Sequence, residues 1–308
     1  MEKEALTFDP NDIRSAYLAP EGLEKILIAG VDRVLAVYDR LILSGSPAAE
    51  NPWAQNIWRS PRVAAIQSIK DATTILRGIQ RSWFPYSFQL HRRTALIQDG
   101  LPKVTVPLLV FPVVLPVEPL GSFTLLNTNL MLFSESCSAP VPNGEYTFQE
   151  DKRGPPNRAY LKVWEALTRA GQWPGKKDVC LELGASPGGW TYVLAGLAGK
   201  VIAIDRSPLD SSMQKFKNIE FQTGNAFAAT PEKYPEVSWL FSDVICYPDK
   251  LYDFVVDWSS KAPQCKMICT LKFQGTEHYP WIEKFAALPA SKILHLFHNK
   301  HELTWMRL

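Results

Sequence analysis

Residues 179–191 combine residue types that suit the binding of a small, positively charged ligand. The apolar run Val179–Leu183 predicts a short buried strand, and the glycines that follow it permit a tight turn. Glu182 places a carboxylate beside that turn. A carboxylate repels a pyrophosphate but attracts a sulfonium or an ammonium group. The stretch therefore predicts a strand, a glycine-rich turn and the start of a helix that together hold a cationic ligand.

The spacing of the glycines distinguishes a dinucleotide cofactor from a nucleoside cofactor without phosphate. A dinucleotide fingerprint reads G-x-G-x-x-G, whereas here Gly184 is followed by Gly188 and Gly189. Downstream, the apolar residues 200–204 lead to Asp205, and a carboxylate at a strand end suits the two hydroxyls of a ribose. These features favour S-adenosylmethionine (SAM), which carries two cationic groups and no phosphate. The predicted cofactor-binding residues are Glu182, Gly184, Ser186, Pro187, Gly188, Gly189, Trp190, Asp205, Asn225, Ala226 and Asp243.

Four charged residues lie where the predicted elements converge on that ligand. Lys162 is on the predicted helix before the glycine turn, and Glu302 opens the last predicted strand. Asp243 and Lys272 each directly follow a strongly apolar strand. Taken singly, each residue could be an ordinary surface charge. A charge at the functional end of a buried strand is, however, expected to be buried and paired, so Asp243 and Lys272 are the stronger candidates for a chemical role.

The turn and the four charges together resemble a known enzyme family. The E-x-G-A-x-P-G-G-W-T turn and the Lys-Asp-Lys-Glu order are similar to those of the FtsJ-like (RrmJ-like) RNA ribose 2′-O-methyltransferases. The similarity covers residues 155–308 and includes P-P-N-R-A-Y-L-K-V-W-E-A-L from Pro155 and a closing H-E-L-T. Residues 17–24 resemble the start of a THUMP-containing N-terminal half in members that act on large-subunit rRNA.

Three positions depart from the family pattern. Glu182 stands where members commonly have Asp, and Ser186 stands where they have Cys. Asn225 occupies a place where an acid often contacts the adenine. Each replacement keeps the capacity to hydrogen bond, so SAM remains the expected cofactor.

The resemblance implies a methyl transfer from SAM to a ribose 2′-oxygen, on a cytidine of large-subunit (23S) rRNA. Lys272 is the candidate base or orienting group, because the reaction needs proton removal and alignment. Asp243 would hold Lys272, and Glu302 would fix Lys162. No metal is expected. Two other functions stay open: an RNA-binding factor that keeps the fold without catalysis, and a nicotinamide-dependent oxidoreductase.

The elements that must position these residues alternate between strand and helix after residue 159. The pattern predicts an α/β, Rossmann-like domain with a mostly parallel sheet, an antiparallel terminal strand at the edge and ligands at the carboxyl ends of the strands. The predicted strands are Val179–Leu183, 200–204, 219–222, Trp239–Ser242, 267–271, 292–298 and 301–306. The predicted helices are Tyr160–Ala170, 188–197, 251–261 and 278–288.

The preceding region predicts a different organisation. We expect an α+β, THUMP-like, RNA-binding region over residues 1–150, a linker at 151–157 and the methyltransferase domain over 151–308. The expected strands are 15–19, one or two within 31–43, those within 121–134, and 144–148. Helices are expected at 21–29 and 64–83, and edge strands or extended chain at 101–119.

Residues 51–103 carry eight basic residues against two acidic ones, a net charge of +6. Aromatic residues are interleaved with them: Trp53, Trp58, Trp83, Phe84, Tyr86 and Phe88. This composition is typical of a surface that binds RNA phosphates and stacks on bases. It also fits a solvated helix face whose aromatic residues belong to the core.

Composition sets the remaining bounds. The chain has 308 residues, and no apolar run approaches the roughly 20 residues of a membrane span. The five cysteines are scattered without a Cys-x-x-Cys pair, so neither a zinc site nor a disulfide framework is indicated. The first residues lack the order of a signal peptide. We expect a cytoplasmic protein, monomeric rather than oligomeric, with RNA and not a membrane as its partner.

Overall fold

The computed structural model describes residues 7–104 and 108–308. The chain divides into two compact units. The first comprises residues up to Leu108 together with Leu115–Thr147. The second comprises Leu109–Val114 and Phe148–Leu308, so it takes in a short segment that lies well before residue 150.

The first unit is of the α+β class and contains two sheets. One sheet has the order β2-β3-β1-β4-β9 with antiparallel neighbours. The other has the order β5-β8-β7-β6, in which β6 and β7 are parallel. The strands are β1 (Ser15–Leu18), β2 (Val34–Tyr38), β3 (Leu41–Ser44), β4 (Asn56–Arg59), β5 (Arg62–Ala65), β6 (Trp83–Pro85), β7 (Gly121–Asn127), β8 (Leu130–Ser134) and β9 (Ser136–Cys137). The helices are α1 (Glu24–Ala29), α2 (Ile69–Arg77) and α3 (His91–Asp99).

The helix expected at 64–83 is wrong at both ends. Helix α2 begins only after Ser68, whose hydroxyl accepts a hydrogen bond from the Asp71 amide at 3.0 Å. Trp83 opens β6 instead of closing a helix. The apolar spacing predicted too long a helix because apolar residues occur before, within and after α2. Ile66, Leu76 and Trp83, for example, pack in the same core although only Leu76 lies in the helix.

Within the described residues, two other segments before residue 150 form no strand, contrary to the strand expected at 144–148 and the edge strands considered at 101–119. Pro142–Gly144 forms a short 3₁₀ turn, and residues 145–148 form no strand apart from a single bridge between Leu109 and Phe148. Of the stretch 101–119, residues 105–107 lie outside the described residues, and the described part forms no strand apart from the bridge at Leu109. Pro102, together with the three prolines that follow Val110 (Pro112, Pro116 and Pro119), lacks the backbone N–H donor that a strand would need.

The aromatic residues of the segment 51–103 are mostly internal. Trp53, Trp58, Trp83 and Tyr86 are buried, and Phe84 and Phe88 are half-buried. The Trp83 indole donates a hydrogen bond to the Leu76 carbonyl oxygen at 2.9 Å. These rings belong to the core, as the second interpretation of the segment expected.

The second unit is a seven-stranded mixed sheet with the order β12-β11-β10-β13-β14-β16-β15. Its strands are β10 (Val179–Leu183), β11 (Lys200–Asp205), β12 (Ile219–Thr223), β13 (Trp239–Ser242), β14 (Lys266–Lys272), β15 (Ser291–Leu294) and β16 (Glu302–Arg307). Its helices are α4 (Tyr160–Ala170), α5 (Gly189–Leu197), α6 (Pro248–Lys261) and α7 (Pro280–Ala286). The Rossmann-like, mostly parallel sheet is confirmed.

Strand β16 is antiparallel as expected, but it does not lie at the edge. It pairs with β14 on one side and with β15 on the other. The four residues from Leu303 to Met306 are all buried, so both faces of β16 need cover, which an inner position supplies. The pairing sets Glu302 opposite Lys272, which brings two of the predicted catalytic residues together.

Candidate active site

The turn after β10 depends on two glycines with left-handed backbone conformations. Gly184 has φ +77° and Gly188 has φ +114°, values that side-chain-bearing residues rarely adopt. A Cβ on Gly184 would lie 2.8 Å from Val244 Cγ2, because the turn approaches the loop that follows β13. Gly188 then precedes the first residue of α5. The turn therefore brings the ends of β10 and β13 into close contact.

A cavity of about 400 Å³ opens beside this turn. Among the described residues, the predicted ones that line it are Gly184, Asp205, Asn225 and Ala226. The others that line it are Arg206, Gly224, Phe227, Val244, Ile245, Cys246, Tyr247, Lys250 and Gln274. Most of these missed residues lie in loops that directly follow β11, β12, β13 and β14, so the rule that ligands bind at strand ends could have found them.

Asp205 ends β11 and faces the cavity with its carboxylate already fixed. Its Oδ2 accepts a hydrogen bond from the Ser186 amide at 3.0 Å, and its Oδ1 accepts one from the Ser207 amide at 2.9 Å. Each carboxylate oxygen can accept more than one hydrogen bond. Asp205 therefore keeps capacity for two ribose hydroxyls while the turn holds it in place.

Asn225 opens a short 3₁₀ turn after β12. Its Oδ1 accepts a hydrogen bond from the Phe227 amide at 3.2 Å. That contact leaves the side-chain NH₂ group directed away from the backbone it caps, in an exposed position at the cavity. An amide donor there can recognise an acceptor nitrogen of a base.

Glu182 lies under the turn and does not line the cavity. Its side chain is buried, and its Oε2 has no hydrogen-bond partner among the described residues. Burial raises the pKa of Glu182 to about 8, because hydrogen bonds from Thr191 only partly offset it and Asp243 and Asp205 raise it further. Glu182 is thus a protonatable group beneath the site.

The remaining predicted cofactor residues form the wall of the turn. The Ser186 hydroxyl donates to the Pro208 carbonyl oxygen at 2.9 Å. The Trp190 ring is buried on α5 and meets Phe241 edge to face, with ring centroids 6.4 Å apart. Pro187, Gly188 and Gly189 complete the turn outside the cavity lining.

The structure brings the four predicted catalytic residues into one cluster. Lys162 Nζ lies 2.8 Å from Asp243 Oδ2 and 3.0 Å from Glu302 Oε1. Lys272 Nζ lies 2.9 Å from Asp243 Oδ1 and 3.8 Å from Glu302 Oε2. Two cations and two anions alternate, so neighbouring charges attract. The four side chains are between 12% and 21% exposed, which leaves an opening toward a substrate.

The charges within the cluster set its protonation states. Burial alone lowers the pKa of Lys162, but Asp243 and Glu302 offset this and raise its pKa above the usual value. Burial likewise raises the pKa of Asp243, and the two lysines offset this and lower its pKa below the usual value. Asp243 is therefore a carboxylate, and Lys162 an ammonium ion, at neutral pH.

Helix α4 supports the cluster through a second charged residue. Glu165 is fully buried one turn after Lys162. Its carboxylate accepts hydrogen bonds from the Phe297 amide at 2.8 Å and the His298 amide at 3.1 Å. These contacts hold the loop that leads into β16 and thus toward Glu302. Glu165 lies within the P-P-N-R-A-Y-L-K-V-W-E-A-L stretch that starts at Pro155, but nothing in that stretch indicates that its carboxylate accepts hydrogen bonds from backbone amides near residue 297.

Within residues 7–104 and 108–308, no group of three or more His, Cys, Asp or Glu side chains could hold a metal ion. No helix in the described ranges is long and apolar enough to span a membrane.

Residues 155–273 match the family model described as FtsJ-like methyltransferase. This part of the chain is similar to FtsJ-like methyltransferases. The resemblance predicted from the turn and the charged residues is therefore confirmed for this region. The match contains Lys162, the glycine turn, Asp243 and Lys272.

Relatives named ribosomal RNA large subunit methyltransferase M match the same half of the chain. The protein from Aggregatibacter aphrophilus (strain NJ8700) is 26% identical over 171 residues, which cover 50% of this chain and 47% of that protein. The protein from Cellvibrio japonicus (strain Ueda107) is 31% identical over 137 residues, which cover 42% and 38%. The match thus spans less than half the length of either relative. Among solved structures, fibrillarin from Aeropyrum pernix aligns with a TM-score of 0.39 and 17% identity over 60% of this chain and 81% of its own.

Proposed function

We propose that this protein is a SAM-dependent RNA ribose 2′-O-methyltransferase that acts on a cytidine of large-subunit rRNA. The observation that carries the proposal is the cluster formed by Lys162, Asp243, Lys272 and Glu302, which come from four separate elements. Asp243 belongs to the cluster and the next residue, Val244, lines the cavity. The cluster and the cavity therefore adjoin through one short loop.

The lining of the cavity fits an adenosine. Asp205 offers acceptors for the ribose hydroxyls, and Asn225 offers an amide donor for the base. A Cβ on Gly224 would meet no atom within 4 Å, so the wall there is open to a flat ring. The glycines of the turn, Gly184, Gly188 and Gly189, do not have the G-x-G-x-x-G spacing that places backbone amides around a pyrophosphate, which favours SAM over NAD.

In the proposed mechanism, side chains of the cluster position the ribose 2′-hydroxyl of the RNA and remove its proton. Bound SAM supplies a methyl group on an electrophilic sulfonium. Lys272 is the group that orients the 2′-hydroxyl or removes its proton, since its Nζ is fixed by Asp243 at 2.9 Å and is partly exposed. Asp243 also places negative charge near the cationic donor, and Glu302 with Lys162 holds Asp243 in position.

RNA binding by the first unit is the second part of the proposal. Lys70, Arg77, Arg81, Arg92 and Lys103 are exposed on or near α2 and α3. Because the tryptophans of this segment are buried, the contribution we infer is electrostatic and directed at phosphates. The THUMP-like identity of the unit, a monomeric state and a cytoplasmic location are parts of the same proposal.

The test is methyl transfer to RNA. Purified protein is mixed with labelled SAM and deproteinised total RNA, and the modified nucleotide is mapped and tested for 2′-O-methylation. We expect label at a cytidine of the large-subunit rRNA. SAM binding without transfer to any RNA would instead support an RNA-binding factor, and tight NAD binding would support an oxidoreductase.

A further inference from the structure

The loop after β13 presents large apolar side chains to solvent immediately beside the charged cluster. Ile245 is 80% exposed and Tyr247 is 52% exposed, and both line the cavity. Asp243, in the cluster, lies only two residues before Ile245. Exposed apolar side chains at a cavity mouth mark a binding surface more often than a packing defect.

The Tyr247 ring is held in place although it is exposed. Its carbonyl oxygen accepts a hydrogen bond from the Leu251 amide at 3.3 Å, so its backbone is fixed at the start of α6. Pro248 follows directly and restricts the chain further. The ring lies 5.5 Å from the His278 ring, centroid to centroid. A fixed aromatic ring loses little entropy when a second ring stacks on it.

The sheet order places Tyr247 away from the nucleoside end of the cavity. Asp205 and Asn225 follow β11 and β12, on one side of β10, whereas Tyr247 follows β13 on the other side. Strands β11 and β13 are two positions apart in the sheet, which corresponds to about 10 Å. Strands β13 and β14 also supply Asp243 and Lys272. Tyr247 therefore belongs to the end of the cavity at which the methyl group is accepted.

We propose that Tyr247, with Ile245, forms the platform on which the base of the methyl-accepting nucleotide stacks. The inference rests on the proposed function, since it assumes that an RNA ribose occupies the cluster. A base can reach this ring only if it is unpaired, so the platform selects a single-stranded or everted nucleotide. Ile245 covers the adjoining edge of the base.

The experiment separates substrate binding from cofactor binding. SAM affinity is measured by calorimetry, and KM and kcat are measured with deproteinised rRNA. Tyr247→Ala should raise the KM for RNA roughly 5- to 150-fold, the range found for loss of one base-stacking ring, with an unchanged affinity for SAM. Tyr247→Phe keeps the ring and should stay within about threefold of wild type.

Two further variants keep the test decisive if Tyr247→Ala is poorly folded. Ile245→Ala removes an exposed side chain that cannot be a core residue, and it should raise the KM for RNA in the same direction by a smaller factor. Val256→Ala, on the same helix α6 and 36% exposed, is the matched control and should leave both constants unchanged.

The possible failures are distinguishable. Wild-type transfer with an unchanged KM in Tyr247→Ala and Ile245→Ala overturns the platform alone. Loss of SAM affinity as the main effect assigns Tyr247 to the cofactor and also overturns the platform. SAM binding by wild-type protein without transfer to RNA overturns the proposed function, and the platform with it.

Discussion

The two units differ in the sequence features that predicted their functions, and in where the structure places the residues concerned. In the second unit, charges placed at strand ends converge into one cluster. In the first unit, basic and aromatic residues mixed along residues 51–103 separate, with tryptophans inward and most cations outward. The comparison teaches that a position relative to a strand end predicts where a side chain lies. Composition alone does not, because a core competes for the same aromatic residues.

The largest expected effect tests the second unit at Lys272. Lys272→Ala should lower the single-turnover rate of methyl transfer by about 10²–10⁴-fold or more, since both a proton acceptor and an alignment are lost. SAM affinity should change little. Lys272→Arg should not restore the rate, because a guanidinium does not deprotonate and has a different shape.

A structural role for Lys272 gives a different result. If Lys272 only neutralises Asp243, its loss leaves that carboxylate paired with Lys162 alone and chiefly lowers the melting temperature. A folded, SAM-binding Lys272→Ala protein with a wild-type rate would contradict the proposed mechanism.

The next effect concerns the stability of the second unit and its dependence on pH. In the folded state the pKa of Glu182 is raised to about 8 by burial, whereas the ordinary value is 4.5. Between these values the folded protein holds a proton that the unfolded chain has released. The stability contributed by protonated Glu182 is therefore complete below pH 4.5 and is lost as the pH rises through 8, with a slope of about 1.4 kcal/mol per pH unit at most.

Urea unfolding between pH 5 and pH 8 checks this slope. Glu182→Gln keeps the shape and removes the titration, so its free energy of unfolding should fall less steeply with pH than that of wild type. Parallel curves for the two proteins would show that Glu182 does not carry the dependence.

A smaller effect is expected at the cavity. Asp205→Ala should weaken SAM binding by about 1–3 kcal/mol, because the ribose hydroxyls, buried on binding, lose their acceptor. The control is Glu220→Ala, an exposed acid on the neighbouring strand β12 that does not line the cavity. Calorimetry with equal loss in both variants would exclude a specific role for Asp205.

The smallest effect tests the first unit. Reversing Arg92 and Arg93 to Glu should weaken RNA binding and flatten its salt dependence, with SAM affinity unchanged. Reversing Arg14 and Lys25, which are exposed outside the segment, is the matched control. Equal salt slopes for the two double variants would mean that residues 51–103 have no special part in RNA binding. The basic composition of the first unit would then have predicted no function, in contrast to the strand-end charges of the second unit.

Much of the second unit could be predicted from sequence, because its strands are short apolar runs with charged ends. Asp243 and Lys272 illustrate this, since each directly follows such a run. Glu165 could not be predicted, because its partners are backbone amides more than 130 residues away. The exposed position of Tyr247 also gave no periodic signal, and the helix expected at 64–83 failed because strand and helix residues share one core.

The inner position of β16 makes the charged cluster depend on the pairing of this strand within the sheet. Glu302 lies beside Lys162 and Lys272 because β16 pairs with β14 on one side and with β15 on the other. The described residues that line the cavity all lie before β15 along the chain, whereas the cluster takes its fourth member from β16. The cavity and the charged cluster therefore depend on different strands of one sheet.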